Sequence, residues 1–516
     1  MELETFRRIR GNVHGTVDVT ALEDQVIDHS IFQRLRRVKQ LAFLSLVFPG
    51  ASHTRFEHSL GVLQMTGETW HKMRANQKRL ANSCSLYRHF AATEKRGSGP
   101  TPLVHGLLAP TFAVMDEIFS CGYTQQALRL AGLLHDIGHP PFSHSGERFL
   151  PTWKQILVAQ RGHAPSYITE YLEESCLKIA ASGRDPGKVR VRHEIYTILL
   201  VERLIADVNQ TYKGPFQISA RDIISIMTPD IEPEPGSPLI KHGVYRLCHE
   251  LISGEVDTDR MDYLLRDSRE CGVVYGIFDA TRIQDSLSLY FDERDQGVHL
   301  AITLSGLAAF EDYLRARHSM YLQLYFHKTS VAAESMIQHL AKLLGDWTMP
   351  ADALAYAELD EYNIEAALLA EAAKLAPSDY ARCQSVLQDL LRRRRLWKRV
   401  FEVSSKDRAS GEIATASACD LLRSIGLSFE QVSSENSLTS FRTRRDDEHS
   451  LNYLRLIRKD QDQFPRVVPI EDYASPALIQ GDTRVHISRI YVEDKVGADG
   501  QRQPDTAKQA IRNRSN

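Results

Sequence analysis

The stretch Leu133-Leu-His-Asp-Ile-Gly-His-Pro-Pro-Phe-Ser-His144 decides the reading of this chain. An apolar run leads into it, and it then sets three histidines and one aspartate within twelve residues. His135 and Asp136 are adjacent, so on a helix they splay by about 100° and can both reach one ion near the helix end. Gly138 and the Pro140-Pro141 pair predict that the helix stops there. Proline lacks an N–H and pushes the residue before it out of the helical region. His139 and His144 then fall on the helix exit and the following loop. Imidazole and carboxylate together suit a first-row divalent metal; the plainer alternative is a helix end with satisfied polar residues.

The flanking sequence predicts a mostly α chain. Residues 9–20 alternate as a short hairpin. Val26, Ile27, Phe32, Leu35, Val38 and Leu41 fall at helical steps, with Arg34, Arg36, Arg37 and Lys39 opposite. After a turn at Phe48–Ser52, a helix runs from His53 to about residue 80. Residues 82–104 and 161–190 read as polar, loop-rich insertions. The decisive motif rides on a helix over 124–136, with Thr124 as N-cap. His193-Glu194 opens an apolar helix, and 229–238 is a rigid Pro-rich linker. A helix from about 241 leads into an acidic segment, 255–267. A strand at 298–302 precedes a long helical pattern from Gly306 to Leu344. Helices continue through 398, and 400–403 and 485–492 are strands. These features predict a helical core over 1–345 with small β-hairpins. A mixed α+β part over 346–495 follows, for regulation or oligomerisation, and then a tail, 496–516, that lacks aromatics and is expected to be disordered.

Bulk properties exclude more than they assign. The 516 residues are 43% hydrophobic and 25% charged, with net charge −3, so nothing global points to a nucleic-acid or membrane surface. Seven scattered cysteines without a C-x-x-C pair read as reduced thiols in a cytoplasmic protein. No apolar run approaches the ~18 residues that span a bilayer, and the N-terminus has no signal-peptide core.

A four-ligand site needs partners from elsewhere in the chain. His58, on a helix after a turn, and Asp259, in the acidic segment, would complete a set with His135 and Asp136. Two imidazoles and two carboxylates leave coordination positions for water and substrate, as a catalytic metal requires. At this point the chain resembles the HD-domain phosphohydrolases. Among them it is most similar to the deoxynucleoside triphosphate triphosphohydrolases, including the bacterial dGTPases and the HD core of the SAM-and-HD-domain dNTPases. The resemblance rests on Phe32-Gln-Arg-Leu-Arg36, Phe48-Pro-Gly-Ala-Ser-His53, Arg55-Phe-Glu-His-Ser-Leu-Gly61, Leu134-His-Asp-Ile-Gly-His139 and Pro141-Phe-Ser-His144, in that order. It begins almost at Met1, so no SAM domain is expected before the core.

The resemblance implies an HD helical fold and a divalent metal, Mn2+, Fe2+ or Mg2+, held by His58, His135, Asp136 and Asp259. The implied reaction is attack of water at the α-phosphorus of a dNTP, releasing a deoxynucleoside and triphosphate, with dGTP as a preferred substrate or activator. By the same resemblance His139, His144 and His193 face the phosphates. His193, backed by Glu194, protonates the leaving oxygen; its alternative is a surface helix histidine. Arg55, Arg260, Arg317 and Lys328 contact phosphates, and Arg260 stands where the family often has lysine. Tyr263 packs where a 2′-OH would lie, Asp267 and Gln40 bond the 3′-OH, and Leu41 and Tyr325 line sugar and base. Spacing alone puts Asp259, Tyr263 and Asp267 on one helix face, and Arg317, Tyr321, Tyr325 and Lys328 on another, with Tyr321 read as core. Asp28, Gln33 and Arg36 match a guanine-reading activator site between subunits, although Arg10 stands where the family has asparagine. A homo-oligomer (dimer, tetramer or hexamer) is implied, and a membrane partner is not. The Arg392–Arg395 run reads as a solvated helix face rather than a nucleic-acid patch. Two other readings remain: an HD phosphohydrolase for a nucleoside monophosphate, signalling nucleotide or single-stranded DNA, and a nucleotide-binding regulator without catalysis.

Overall fold

Thr20 starts the first helix, Ala21–Asp28, with a capping box. Its hydroxyl accepts from the Glu23 N–H, and the Glu23 carboxylate accepts from the Thr20 N–H. Buried Glu23 is also gripped by Arg129, whose Nε and guanidinium NH2 donate to its two oxygens at 2.7 and 2.8 Å. This pair ties the N-terminal segment to the central helix. Upstream, strands Arg7–Arg10 and Thr16–Val19 form the expected hairpin, with Arg10 opposite Thr16. The computed structural model describes residues 3–83, 107–108, 117–215, 217–292, 295–406, 408–436, 454–459, 465–474, 485–497 and 500–515. The chain is mostly α with small sheets, as the sequence predicts.

The helix expected to run on to Leu41 breaks. A short helix, Ser30–Gln33, passes into a tight turn, Arg34–Arg37. Val38 is extended, and Lys39 bridges to Thr54. The cross-chain bonds Arg55 N–H to Val38 O (2.9 Å) and Gln40 N–H to His53 O (3.1 Å) replace helical ones. The helical spacing recorded shared burial, not one continuous helix. Arg34, expected on the polar face, is 1% exposed.

Helix Arg55–Ser83 packs on helix Gly122–Leu134, which is buried on nearly every side and forms the centre of the fold. That central helix starts before Thr124, which is buried inside it and is not the N-cap, and it ends before His135. The long pattern after Gly306 is two helices, Leu307–Met320 and Lys328–Leu344. A π-helical turn, Tyr321–Tyr325, precedes the break, and the His327 imidazole caps the second helix by accepting from the Thr329 N–H. Lys328 therefore does not share a face with Arg317, Tyr321 and Tyr325. The loop-rich reading of 161–190 is corrected by helix Ser166–Ala181, which buries Ile168, Leu172 and Ile179. The insertion at 82–104 lies outside the described residues beyond Ser83.

Helical structure stops at Arg393 rather than 398, because Arg394 turns left-handed at φ 53°. Both predicted C-terminal strands pair in a three-stranded antiparallel sheet ordered Lys398–Ser405, Val485–Val492, Phe429–Asn436. A five-stranded sheet combines Leu107–Leu108, Leu287–Asp292, Gly297–Thr303, Arg455–Lys459 and Pro465–Pro469. The tail is corrected as well: Gln503–Ser515 is a helix, and Ala507 is buried with Ile490 and Val492. Ala507 and Ile511, one turn apart, give it a narrow apolar face. The three-stranded sheet is fastened to the break between the two long helices. Arg489 donates to Phe326 O and the Tyr491 hydroxyl to Lys328 O, both at 2.8 Å. Among the described residues no helix is long and apolar enough to cross a membrane.

Candidate active site

The four residues expected to bind metal converge from three helices. His58 sits one turn into helix Arg55–Ser83, His135 and Asp136 leave the central helix, and Asp259 opens helix Thr258–Glu270. Asp259 Oδ1 lies 3.0 Å from His58 Nε2 and 3.5 Å from His135 Nε2. Asp136 Oδ2 lies 3.6 and 3.5 Å from the same two nitrogens. Separations of this size fit ligands on ~2.0–2.2 Å metal bonds. The opposite ring nitrogens are committed: His135 Nδ1–H donates to Gly132 O at 2.9 Å, and His58 Nδ1–H to Asp262 Oδ2 at 2.7 Å. In the unprotonated rings both Nε2 atoms are left toward the carboxylates, buried and without a hydrogen-bond partner. An unsatisfied buried nitrogen is costly unless something binds it. Two such nitrogens facing two carboxylates fit a divalent cation.

The charges agree with this. Burial disfavours a proton on His58, but hydrogen bonds to Asp259 and Asp262 outweigh it and push its pKa up to about 10. Burial likewise opposes protonation of His135, and the charges of Asp136 and Asp259 raise its pKa. Asp136 resists its burial because Arg55, His135 and His139 hold it well below the usual carboxylate range. Without metal, a proton stands in for the cation on His58. Metal binding below pH 10 must therefore expel at least that proton. Apparent affinity for Mn2+ should rise by roughly tenfold per pH unit from pH 6 to 8. Competition with a chromophoric chelator measures this, and a pH-independent affinity would show that His58 is not a ligand.

The histidines beyond the metal set form a second group. His139 Nε2 reaches Asp136 Oδ1 at 3.2 Å, and its ring stacks on His193 with centroids 3.5 Å apart. Burial first, then the neighbouring Arg55 guanidinium and His193 ring, hold the His139 pKa well below the ordinary value, so it is neutral. His144 packs edge-on to both rings, 4.9 and 5.6 Å away. The carboxylate behind His193 is Glu147, which accepts from Nδ1–H at 2.6 Å; the expected Glu194 is 3.5 Å away and more exposed. Glu147 is three residues after His144 on the turn Ser143–Phe149, a spacing legible in the sequence. Burial opposes its charge, but hydrogen bonds from His144 and His193 keep it ionised.

Unusual backbone holds this group in place. Phe142 and Ser143 are both left-handed, at φ 65° and 50°, which non-glycine residues rarely adopt. The Ser143 hydroxyl accepts from Arg55 Nε and NH2 at 3.1 and 3.0 Å, and Arg55 also pairs with Asp136. Gly138 is required by a close approach: a Cβ there would lie 2.2 Å from Thr197 N and 2.3 Å from His193 O. The carbonyls of this loop are capped from outside. Arg34 donates to Leu359 O (2.7 Å) and His139 O (2.8 Å), and Tyr356 OH to Gly138 O (2.6 Å). Glu361 accepts from the Phe142 N–H at 3.0 Å.

A cavity of about 540 Å³ opens beside these groups, lined on one side by His135, Asp136, His139, His144, His193 and Asp259. Gln40, Leu41, Arg55, Tyr263, Asp267 and Tyr325 line it too, so helix Thr258–Glu270 does present Asp259, Tyr263 and Asp267 together. Asp267 is already engaged: His53 Nε2–H donates to Oδ1 at 2.8 Å and Tyr325 OH to Oδ2 at 2.7 Å. Tyr321 is a wall residue rather than core. Burial, then Asp267, raise the Tyr325 pKa, so its hydroxyl stays protonated.

Residues 123–267 match the HD domain family, and residues 278–425 match the HD associated region. The chain carries an HD domain followed by the region that accompanies it. It is 26% identical over 400 residues to an uncharacterised protein of Methanocaldococcus jannaschii, covering 77% of this chain and 60% of that one. It is 27% identical over 338 residues to the deoxynucleoside triphosphate triphosphohydrolase SAMHD1 of Homo sapiens, covering 65% and 44%. The matches thus span about half the length of these curated relatives. In fold it is similar to a phosphohydrolase from Bacteroides thetaiotaomicron, at TM-score 0.57 and 22% identity, covering 94% and 99% of the two chains.

Other expected residues of this HD-domain chain lie elsewhere. Arg260 turns back to Gly254 O (2.7 Å) and Asp257 (3.4 Å), Arg317 lies against the Tyr321 ring, and Lys328 is exposed. Among the described residues, only Arg55 of the four expected phosphate contacts lines the cavity. At the expected activator site, Asp28 pairs with Arg7 at 3.5 Å. Gln33 bonds Ile27 O (2.7 Å) and accepts from Arg36 (2.8 Å), whose guanidinium covers the Phe56 ring. Sequence reasoning missed His53, Glu147 and Asp262. Asp262 carries a signal, since it stands three residues after Asp259 and one helical turn from Arg266.

Proposed function

We propose that this HD-domain protein hydrolyses deoxynucleoside triphosphates to deoxynucleoside and triphosphate with a divalent metal held by His58, His135, Asp136 and Asp259. The observation that carries the reading is the pair of buried Nε2 atoms that, unprotonated, face two carboxylates without a partner, at the edge of a cavity walled by Tyr263, Asp267 and Tyr325. A bound divalent cation supplies charge stabilisation at the phosphoryl group and lowers the pKa of water. The chain's own residues supply the remainder. In the hydrolysis a water oxygen bonds to the α-phosphorus and the bond to O5′ breaks. His193, anchored on Glu147 through Nδ1, presents Nε2 to give O5′ its proton. His139, which is neutral, and His144 offer hydrogen bonds to phosphate oxygens, and Tyr263 and Tyr325 close the sugar side against water.

The relation to SAMHD1 supports the triphosphate, and purified protein supplied with Mn2+, Fe2+ or Mg2+ tests it against each dNTP, NTP, dNMP and single-stranded DNA. Triphosphate released from dNTPs supports the reading; cleavage of single-stranded DNA alone refutes it. The second reading, a nucleoside monophosphate or another less charged phosphate, is favoured by one observation: only Arg55 of the expected cations faces the cavity. The dNMP arm of the same panel separates the two. Tyr263→Ala should raise the ribonucleotide-to-deoxyribonucleotide ratio of kcat/KM by roughly 10-fold, the scale of removing one steric contact of about 1–3 kcal/mol. An unchanged ratio would place the sugar gate elsewhere.

A further inference from the structure

His14 stands at the tip of the N-terminal hairpin, far in sequence from the motifs around the cavity. Its Nε2–H donates to Asp262 Oδ1 at 2.5 Å. The other oxygen of Asp262 accepts from Nδ1 of His58, one of the four residues assigned to the metal. Arg266 donates to both oxygens at 2.8 and 2.9 Å, so this fully buried carboxylate receives four N–H donors from three side chains. The hairpin is itself fixed. Its tip closes on the Gly11 N–H to Gly15 O bond at 2.6 Å, and Asp18 O accepts from Arg129 at 2.7 Å. Across the contact, helix Arg55–Ser83 approaches as closely as a glycine allows: a Cβ on Gly61 would fall 1.9 Å from Asp262 Oδ1 and 2.3 Å from Arg266 NH2. Asp262 therefore sits in a slot closed by Gly61 on one side and His14 on another.

We infer that His14 is a positioning residue for the metal site, acting through Asp262 on His58. By occupying Oδ1, it fixes the plane of the carboxylate, and that plane fixes the His58 ring with Nε2 toward Asp136 and Asp259. Groups that orient a metal-binding histidine in this way commonly govern affinity as strongly as some direct ligands. The inference rests on the metal reading above, and it adds the hairpin to the machinery that holds the ion.

The test measures metal affinity of the full chain, stripped and titrated with Mn2+ against a chromophoric chelator, with melting of the metal-free protein as the control for folding. His14→Ala should bind Mn2+ roughly 10- to 100-fold more weakly, the scale measured for such orienting groups. His14→Gln, whose amide N–H can reach Asp262, should recover most of the loss, whereas His14→Asn, one methylene shorter, should not. If His14→Ala does not accumulate as folded protein, the Gln and Asn pair carries the comparison. Wild-type affinity in His14→Ala, or equal weakness of Gln and Asn, overturns the inference. His58→Ala run alongside separates the failures: wild-type affinity there removes the metal reading and this inference together, while its loss with no effect of His14 removes the inference alone.

Discussion

Asp136→Asn is expected to abolish stoichiometric divalent-metal binding and to slow triphosphate release by roughly 10³-fold or more, about 4 kcal/mol of lost transition-state stabilisation. The amide keeps the shape of the side chain but removes the charge that faces His58 and His135 and that pairs with Arg55. The substitution also strands the buried Arg55 guanidinium, and breaking a buried pair costs about 3–5 kcal/mol. Metal content by elemental analysis should therefore be read beside the melting curve. Full metal content with wild-type affinity in a folded variant would falsify the ligand assignment.

The second large effect concerns the proton. His193→Ala should lower kcat by roughly 10²- to 10⁴-fold, the usual range for removing a positioned acid. Glu147→Gln should lower kcat in the same direction by less, because a glutamine oxygen still accepts from Nδ1–H but without charge. Glu194→Gln should change kcat little, since its carboxylate is 3.5 Å from the ring and more than half exposed. Steady-state kinetics on the three variants checks the order. If Glu194→Gln costs more than Glu147→Gln, the histidine is backed as the sequence spacing implied and the assignment of Glu147 fails.

Some of this was legible in the sequence for plain reasons. His135 and Asp136 sit at a helix exit because Gly138 and two prolines end the helix, and the Asp259–Tyr263–Asp267 face follows from helical period alone. What escaped was set by contacts at long sequence range. Val38 and Lys39 look helical until their backbone bonds to the His53–Arg55 segment are known. Arg34 reads as a surface cation until the carbonyls it caps are in view. Lys328 joins the tyrosine face only if no break falls at Phe326–His327, and the turn there is held from outside by Arg489 and Tyr491. Glu147 was within reach, since it follows His144 at a one-turn spacing, but the adjacent Glu194 offered a simpler pairing.

Arg34, Tyr356 and Glu361 cap the loop that carries His139 and Ser143, and two of those three lie beyond residue 345, where the sequence pattern predicts that the helical core ends. The segment that holds the proposed metal ligands is therefore not expected to behave as a detachable module. A fragment ending at residue 345 would expose the Gly138 carbonyl and the Phe142 N–H inside a dry loop and leave Arg34 without Leu359. Such a fragment should melt early and fail to retain Mn2+, even though it contains all four proposed metal ligands. Re-adding 346–516 in trans should restore both properties, because the missing contacts are hydrogen bonds that need no covalent continuity. The loop that bears the motif thus draws its rigidity from a stretch more than two hundred residues downstream, so a cut between the two reaches the candidate site itself.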